Sequence, residues 1–341
     1  VDSDMKIILT GVAGFIGART AFRLLDEGHE VVGLDNLNDY YDPKLKEHRL
    51  DLLRGRPGFR FVLQDVADGE ALQKLTSSES PDRFIHLAAQ AGVRFSLEKP
   101  MTYVNANLVG FANVLEACRR NRVPYLVYAS SSSVYGNNTR VPFSEHDGVD
   151  HPLSLYAASK RANELMAHSY AHLYDLPVTG LRFFTVYGPW GRPDMAPIKF
   201  ARAIDAGDTI PVFNHGHHQR DFTYIDDIVD GVLQVALGQP ITGVDGQKAG
   251  QDPALSPAPF RIYNIGKGKP VQLMDFIATL EQHLGKKARL EMWPAQAGDV
   301  LDTWADCSDL ENDFNYRPAT PLDSGVRSFV EWFRSYYGQV E

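Results

Sequence analysis

The sequence predicts an α/β fold, a doubly wound parallel sheet carrying a smaller α/β lobe. Three observations predict it. Short apolar runs alternate with helical stretches up to about residue 183. A glycine trio stands between the first run and the first helix, and beyond residue 183 the alternation is lost.

Residues 6–10 (KIILT) form a short apolar strand that runs into glycines. Residues 19–26 read as a helix that Gly28 stops, and 30–34 as a second strand ending in Asp35. Strand, glycine turn, helix, strand is one βαβ unit. Buried strands are expected at 59–63, 84–87, 125–129 and 178–183, with helices at 69–75, 101–121 and 156–174 between them. Such alternation argues for a parallel sheet covered on both faces. After residue 183 segments shorten, and Pro and Gly become frequent. Helices are expected there at 224–237 and 273–284. Residues 238–259, polar and rich in breakers, are expected to be a mobile surface loop. The division expected is a nucleotide-binding domain at 1–182 and a mainly substrate-binding lobe at 183–341, with room for segments that return to the first domain.

Composition excludes several classes. The 341 residues are 44% hydrophobic, ample for a sizeable core. A net charge of -9 without a basic run makes a poor nucleic-acid binder. Cys118 and Cys307 lie far apart and outside any CxxC spacing, so two reduced thiols in a cytoplasmic protein are expected rather than a disulfide or zinc site. No apolar run approaches the ~18 residues of a membrane span. Val1–Asp4, ahead of Met5, is expected to be an expression remnant.

Gly11, Gly14 and Gly17 make GxxGxxG between the first strand and its helix. Glycine allows the tight turn and lets backbone amides approach a pyrophosphate at the helix N-terminus. A lone trio is a weak signal, and the spacing departs from the commonest GxGxxG. Context strengthens it, because Asp35 ends the next strand. A carboxylate there accepts from ribose hydroxyls and repels a 2′-phosphate, which favours NAD over NADP. Asp65 and Val66 follow the third strand, where an adenine edge would lie. Leu87, Ala88, Ala89 and Gln90 end the fourth, where the small residues suit close approach of a cofactor or simply tight packing.

Tyr156 and Lys160 stand at i and i+4 on one helix face. A free tyrosine, with a pKa of about 10, is a poor base at neutral pH. A nearby ammonium and a positive nicotinamide favour the phenolate and make it a plausible general base. YxxxK alone is common on helices; its place after the fifth strand of a dinucleotide fold gives it weight. Ser130–Ser133 puts four hydroxyls at the end of that strand, where ligands sit in such folds. Serines also cap and turn chains there.

These motifs together resemble the extended short-chain dehydrogenase/reductase family, which has a Rossmann-type sheet. The carriers are TGVAGFIG (10–17), HLAAQ (86–90), NLVG (107–110), SSSSVYG (130–136), YAASK (156–160) and RDFTYIDDI (220–228). DNLNDYYDPKLKEHRL (35–50) and RFFTVYGPWGRPDM (182–195) resemble the UDP-glucuronate 4-epimerase branch. The resemblance implies that Gly11, Gly14, Phe15, Ile16, Gly17, Asp35, Asn36 and Asn107 serve NAD binding. It implies Ser131, Tyr156 and Lys160 as the catalytic set, with Ser132 and Ser133 beside the substrate. Arg220 and Asp299 match residues that hold UDP, and Gln296 stands where galactose-type epimerases carry arginine. Lys199, Val212, Phe213 and Asn214 are expected to flank the phosphates and uracil. It also implies a homodimer built through the long helices.

The chemistry expected is removal of a sugar 4-hydroxyl proton by Tyr156 with hydride transfer to NAD, then return of the hydride to the other face of a 4-keto intermediate. Such a uronic acid is a β-keto acid and can lose CO₂. Loss is slowed if the pocket grips the carboxylate, for which Ser132, Ser133, Thr185 and Arg192 are candidates. Arginine suits the task because its planar fork bonds both oxygens. Related decarboxylases and dehydratases carry an acidic residue in the segment filled here by Ser131–Ser133, so retention of the carboxylate is expected. The rivals are a UDP-glucose/UDP-galactose 4-epimerase, a net dehydrogenase that releases NADH, and a non-catalytic NAD-sensing scaffold.

Overall fold

The computed structural model describes residues 4–243, 252–294 and 302–338. Residues 1–3 of the expected remnant Val1–Asp4, part of the expected loop, and both Gln296 and Asp299 lie outside the described residues.

Six strands come first: β1 Lys6–Thr10, β2 Glu30–Asp35, β3 Phe59–Leu63, β4 Arg83–His86, β5 Leu126–Ser131 and β6 Val178–Phe183. The chain then leaves the sheet for four short strands, β7 Thr185–Tyr187, β8 Thr209–Val212, β9 Gln219–Arg220 and β10 Phe222–Tyr224. It returns as β11 Phe260–Ile265, which pairs with β6. The sheet order is β11-β6-β5-β4-β1-β2-β3, and every neighbouring pair is parallel. The order reverses direction at β1 and β4, so their carboxyl ends open a crevice. β11 was not among the expected strands. Its run FRIYNI is fully buried like a central strand, but it follows a breaker-rich stretch that hides it.

Among the described residues nine α-helices precede β11: α1 Phe15–Asp26, α2 Pro43–Asp51, α3 Gly69–Glu79, α4 Phe95–Glu98, α5 Pro100–Tyr103, α6 Gly110–Arg120, α7 Leu155–Tyr174, α8 Ala196–Ala206 and α9 Ile225–Leu237. Strand periodicity divides the core in two. Ile7 and Leu9 of β1 face α1 and α9, whereas Ile8 faces the layer that holds α3, α6 and α7. A third core belongs to the smaller lobe, where α8, β8, helix Leu273–Leu284 and helix Leu322–Tyr337 pack around Phe222 and Phe276. Those two rings stack with centroids 4.2 Å apart.

Several expectations need correction. α1 begins at Phe15, four residues early, because Gly14 already serves as N-cap. The expected helix at 101–121 is three pieces, α5, a π turn at Val104–Val109 and α6. The Asn163 amide donates to the Asn107 carbonyl at 2.6 Å, and Gly110 N–H bonds Asn105 five residues back. A carbonyl claimed by a neighbouring helix favours such a bulge. α2 was not expected, although Asp42 caps it and Pro43 starts it. The described end of the expected surface loop is packed: Ala254, Ser256 and Ala258 are buried, and His168 hydrogen-bonds Ser256 at 2.9 Å.

One loop contact sets a pH response. The Glu145 carboxylate accepts from Asn264 N–H of β11 at 2.6 Å. Burial outweighs this bond and pushes its carboxyl from 4.5 up to about 7. Between those values the folded state binds more protons than the unfolded chain, so this group's stabilisation is lost as pH rises. Glu145→Gln should flatten the fall of stability with pH, measured by urea unfolding between about pH 5 and about pH 8.

Candidate active site

The turn after β1 shows why glycine stands there. Gly11 has φ +76, and a Cβ on it would lie 2.7 Å from the Ala88 nitrogen. A Cβ on Gly17 would stand 2.0 Å from the Gly11 carbonyl oxygen. The strand, the turn and α1 therefore meet backbone to backbone. No side chain caps α1, so its first amides remain for an anion at the helix N-terminus.

This turn forms one end of a cleft of about 430 Å³ along the strand ends. Gly11, Gly14, Phe15, Ile16, Gly17, Asp35, Asn36, Asp65, Val66 and Leu87–Gln90 all line it. So do Ser131, Ser132, Ser133, Tyr156, Lys160, Thr185 and Arg192. Asp35 accepts from Leu37 N–H at 2.9 Å and Ala13 N–H at 3.1 Å, which holds its carboxylate beside the glycine turn. Asn36 donates to Asp65 at 2.8 Å and joins the ends of β2 and β3.

Asn107 does not line the cleft. It is 1% exposed and works from behind. Its side chain accepts from Gln90 N–H at 2.8 Å and donates to Gln90 O at 3.0 Å and Ser159 Oγ at 2.9 Å. The end of β4 is thereby bolted to α7 through the π turn.

Ser154 caps α7 by accepting from Ala157 N–H at 3.1 Å, which starts the helix just ahead of Tyr156. Lys160, 2% exposed, donates to Ala129 O of β5 at 2.9 Å. Burial lowers its amine to about 8, against the pull of Glu164. Burial also raises the Tyr156 phenol, while a hydrogen bond to Ser131 and the charge of Arg192 draw it down. The expected lowering by Lys160 is not what dominates, because that amine is turned to a carbonyl.

One turn after Lys160, Glu164 forms a buried fork with Arg182 of β6 at 2.8 and 3.0 Å. Ser130 donates to the same carboxylate at 2.6 Å. Burial would raise the Glu164 carboxyl, but Arg182 and these bonds hold it low.

The segment 188–195 closes the other side of the cleft. Arg192 donates to Asp194 through Nε at 3.0 Å and Nη2 at 2.5 Å. Arg49 of α2, with no exposed surface, donates to Ala13 O, Trp190 O and Gly191 O at 2.6–3.1 Å. The glycine turn and the arginine loop thus hang on one guanidinium. Sequence reasoning missed Arg49, Asp194, Tyr40 and Lys46. It also missed Gln64, whose buried Nε2 has no hydrogen-bond partner and which lines the cleft where adenine was expected.

A second, wider cavity of about 1400 Å³ opens in the smaller lobe. Thr185, Lys199, Phe213 and Arg220 line it. Asp221 fixes the chain beside Arg220 by accepting from Lys267, Gly268 and Ala305 N–H and from Thr223. Val212 and Asn214 stand differently from these residues. Val212 is buried in the lobe's core, because the alternation of β8 points it inward. Asn214 turns its amide to His217 O at 2.8 Å within its own left-handed turn.

The uncapped helix, the glycine cradle and the orphaned Gln64 amide suit a dinucleotide, and comparison with known proteins agrees. Residues 7–248 match the NAD dependent epimerase/dehydratase family. This chain belongs to that family, and NAD is its cofactor. Among relatives, Protein CapI of Staphylococcus aureus is 50% identical over 98% of this chain and 99% of its own. UDP-glucuronate 4-epimerase 4 of Arabidopsis thaliana is 47% identical over 98% of this chain and 77% of its own. UDP-glucuronic acid 4-epimerase of Bacillus cereus, solved with UDP-glucuronic acid and NAD, superposes with a TM-score of 0.85 at 30% identity, covering 98% of this chain and all of that one.

Glu164→Gln would leave the Arg182 charge buried without its counter-charge. A stability loss of about 3–5 kcal/mol is expected, read from urea unfolding.

Proposed function

We propose that this protein is an NAD-dependent isomerase, a UDP-glucuronate 4-epimerase that interconverts UDP-glucuronate and UDP-galacturonate. The observation that carries the reading is Arg192 and Thr185 sharing one cleft with Tyr156, Lys160 and Ser131. A base and a carboxylate-binding fork then face the same sugar. The relatives named as UDP-glucuronate 4-epimerases support the same substrate.

In this reading Ser131 holds the substrate's 4-oxygen and Tyr156 takes its proton. Lys160 binds the nicotinamide ribose. NAD⁺, when bound, accepts hydride from C4 and returns it, and its positive ring favours the phenolate that the protein's own burial opposes. Arg192, with Ser132, Ser133 and Thr185, grips the carboxylate. The grip keeps the carboxylate out of the perpendicular alignment from which a β-keto acid loses CO₂. No carboxylic acid lies within the Ser131–Ser133 segment to serve elimination.

Residues 1–182 with β11 would hold NAD, through Gly11, Gly14, Phe15, Ile16, Gly17, Asp35, Asn36, Asp65, Val66 and Leu87–Gln90. The lobe from 183 would hold the UDP-sugar, with Lys199, Phe213 and Arg220 at the UDP. Gln296 and Asp299 remain candidates there on the resemblance alone. No described helix is long and apolar enough to cross a membrane, and we assign the protein to the cytoplasm. We also assign a homodimer. Leu97 (77% exposed), Met101, Leu165 and Leu173 lie on α4, α5 and α7, and a second copy would cover them.

Three outcomes are expected. Incubation with UDP-glucuronate should give UDP-galacturonate by NMR, and Tyr156→Phe should reduce turnover by at least about a hundredfold while NAD stays bound. Turnover of UDP-glucose alone would overturn the carboxylate assignment. Leu165→Glu with Leu173→Glu should shift the sedimenting species from dimer to monomer.

A further inference from the structure

The partner of Arg192 is unusual for a residue meant to bind a substrate anion, because it is itself a carboxylate. Asp194 takes only the side edge of the guanidinium, Nε and Nη2. Arginine has five N–H donors, and one edge uses two of them. Among the described residues Nη1 has no hydrogen bond, so the end edge, Nη1 with the second hydrogen of Nη2, can still take a carboxylate. Arg192 and Asp194 both line the cleft that holds Tyr156.

Asp194 is itself held. The Tyr40 hydroxyl donates to its Oδ2 at 3.1 Å. Tyr40 comes from the β2–α2 loop, and its ring packs on Phe95 at 4.8 Å. A Cβ on Gly92, which has φ +100, would stand 2.3 Å from that hydroxyl, so the chain is shaped around it. The loop is pinned a second time where Arg49 donates to Trp190 O and Gly191 O. A carboxylate that only neutralised Arg192 until substrate arrived would need no such anchoring. The third partner points instead to a fixture.

We propose that Asp194, locked by Tyr40, is the positioning residue that sets the plane of the Arg192 guanidinium, so that its end edge meets the carboxylate of a uronic acid substrate. Specificity for an acidic sugar then depends on Asp194 and Tyr40 as well as on Arg192. The inference rests on the UDP-glucuronate reading of this cleft. The carboxylate selects Arg192 by fit of two edges rather than by net charge, since Asp194 already balances that charge.

The test compares wild type, Asp194→Asn and Tyr40→Phe. kcat and KM are measured for UDP-glucuronate, Kd for UDP, and the NAD content of the purified protein. Asp194→Asn should raise KM for UDP-glucuronate by at least about tenfold, and Tyr40→Phe by a smaller factor in the same direction. Kd for UDP and NAD content should stay at the wild-type values, which a general loss of structure would not permit. An unchanged or lowered KM in Asp194→Asn would overturn the proposal, and Asp194 would then be a placeholder that substrate displaces. Equal weakening of UDP would overturn it too. If Asp194→Asn does not fold, Tyr40→Phe decides alone, and an unchanged KM there overturns the proposal. Wild type without activity on UDP-glucuronate would refute the reading of the cleft, whereas an active wild type with unaffected variants refutes this inference only.

Discussion

The Glu164–Arg182 pair sits under everything the site does. α7 carries Tyr156 and Lys160, and those groups are useful only if the helix stands at a set height above β5. Glu164 sets that height. It takes two bonds from Arg182 of β6 and one from Ser130 of β5, one residue before Ser131. Lys160 adds a further tie to Ala129 O. The helix and two strands thus meet at one buried carboxylate. A buried pair of this kind contributes little net stability against an apolar replacement, but breaking it is costly. Its value is in orientation.

The network continues behind the pair. Arg182 also donates to Tyr135, which donates to Asn264 of β11. β11 therefore does more than widen the sheet. It completes the polar layer beneath α7 and brings a segment that lies between parts of the smaller lobe into the large parallel sheet. Arg49 plays a matching part on the other side, where one side chain joins the glycine turn to the loop of Arg192. The two binding regions are mechanically continuous rather than merely adjacent.

Much of the site was legible because its chemistry is local in sequence. The glycine spacing, Asp35 at a strand end, and Tyr156 with Lys160 on one helical face are all short-range patterns. Residues acting from behind were misread or missed. Asn107 resembled a cofactor residue, yet its bonds go to Gln90, Ser159 and Asn163. Nothing in a helical stretch announces that its middle will open into a π turn, because the cause lies on another helix. Strand alternation buries Val212 in the lobe's core, a fact that needs the strand's neighbours to be known.

By itself the sequence determined the parallel sheet and the cofactor class, and it singled out Tyr156 as the base we propose, since each follows from periodicity or from residue types at fixed spacing. It also made Arg192 a candidate for an anion. Tertiary structure alone decided which edge of Arg192 is engaged, and that Tyr40, some 150 residues away, holds its partner. It decided likewise that 260–265 belongs to the first sheet. These are long-range facts. They arise when segments distant in sequence compete for the same buried hydrogen-bonding groups, and no local pattern records the outcome.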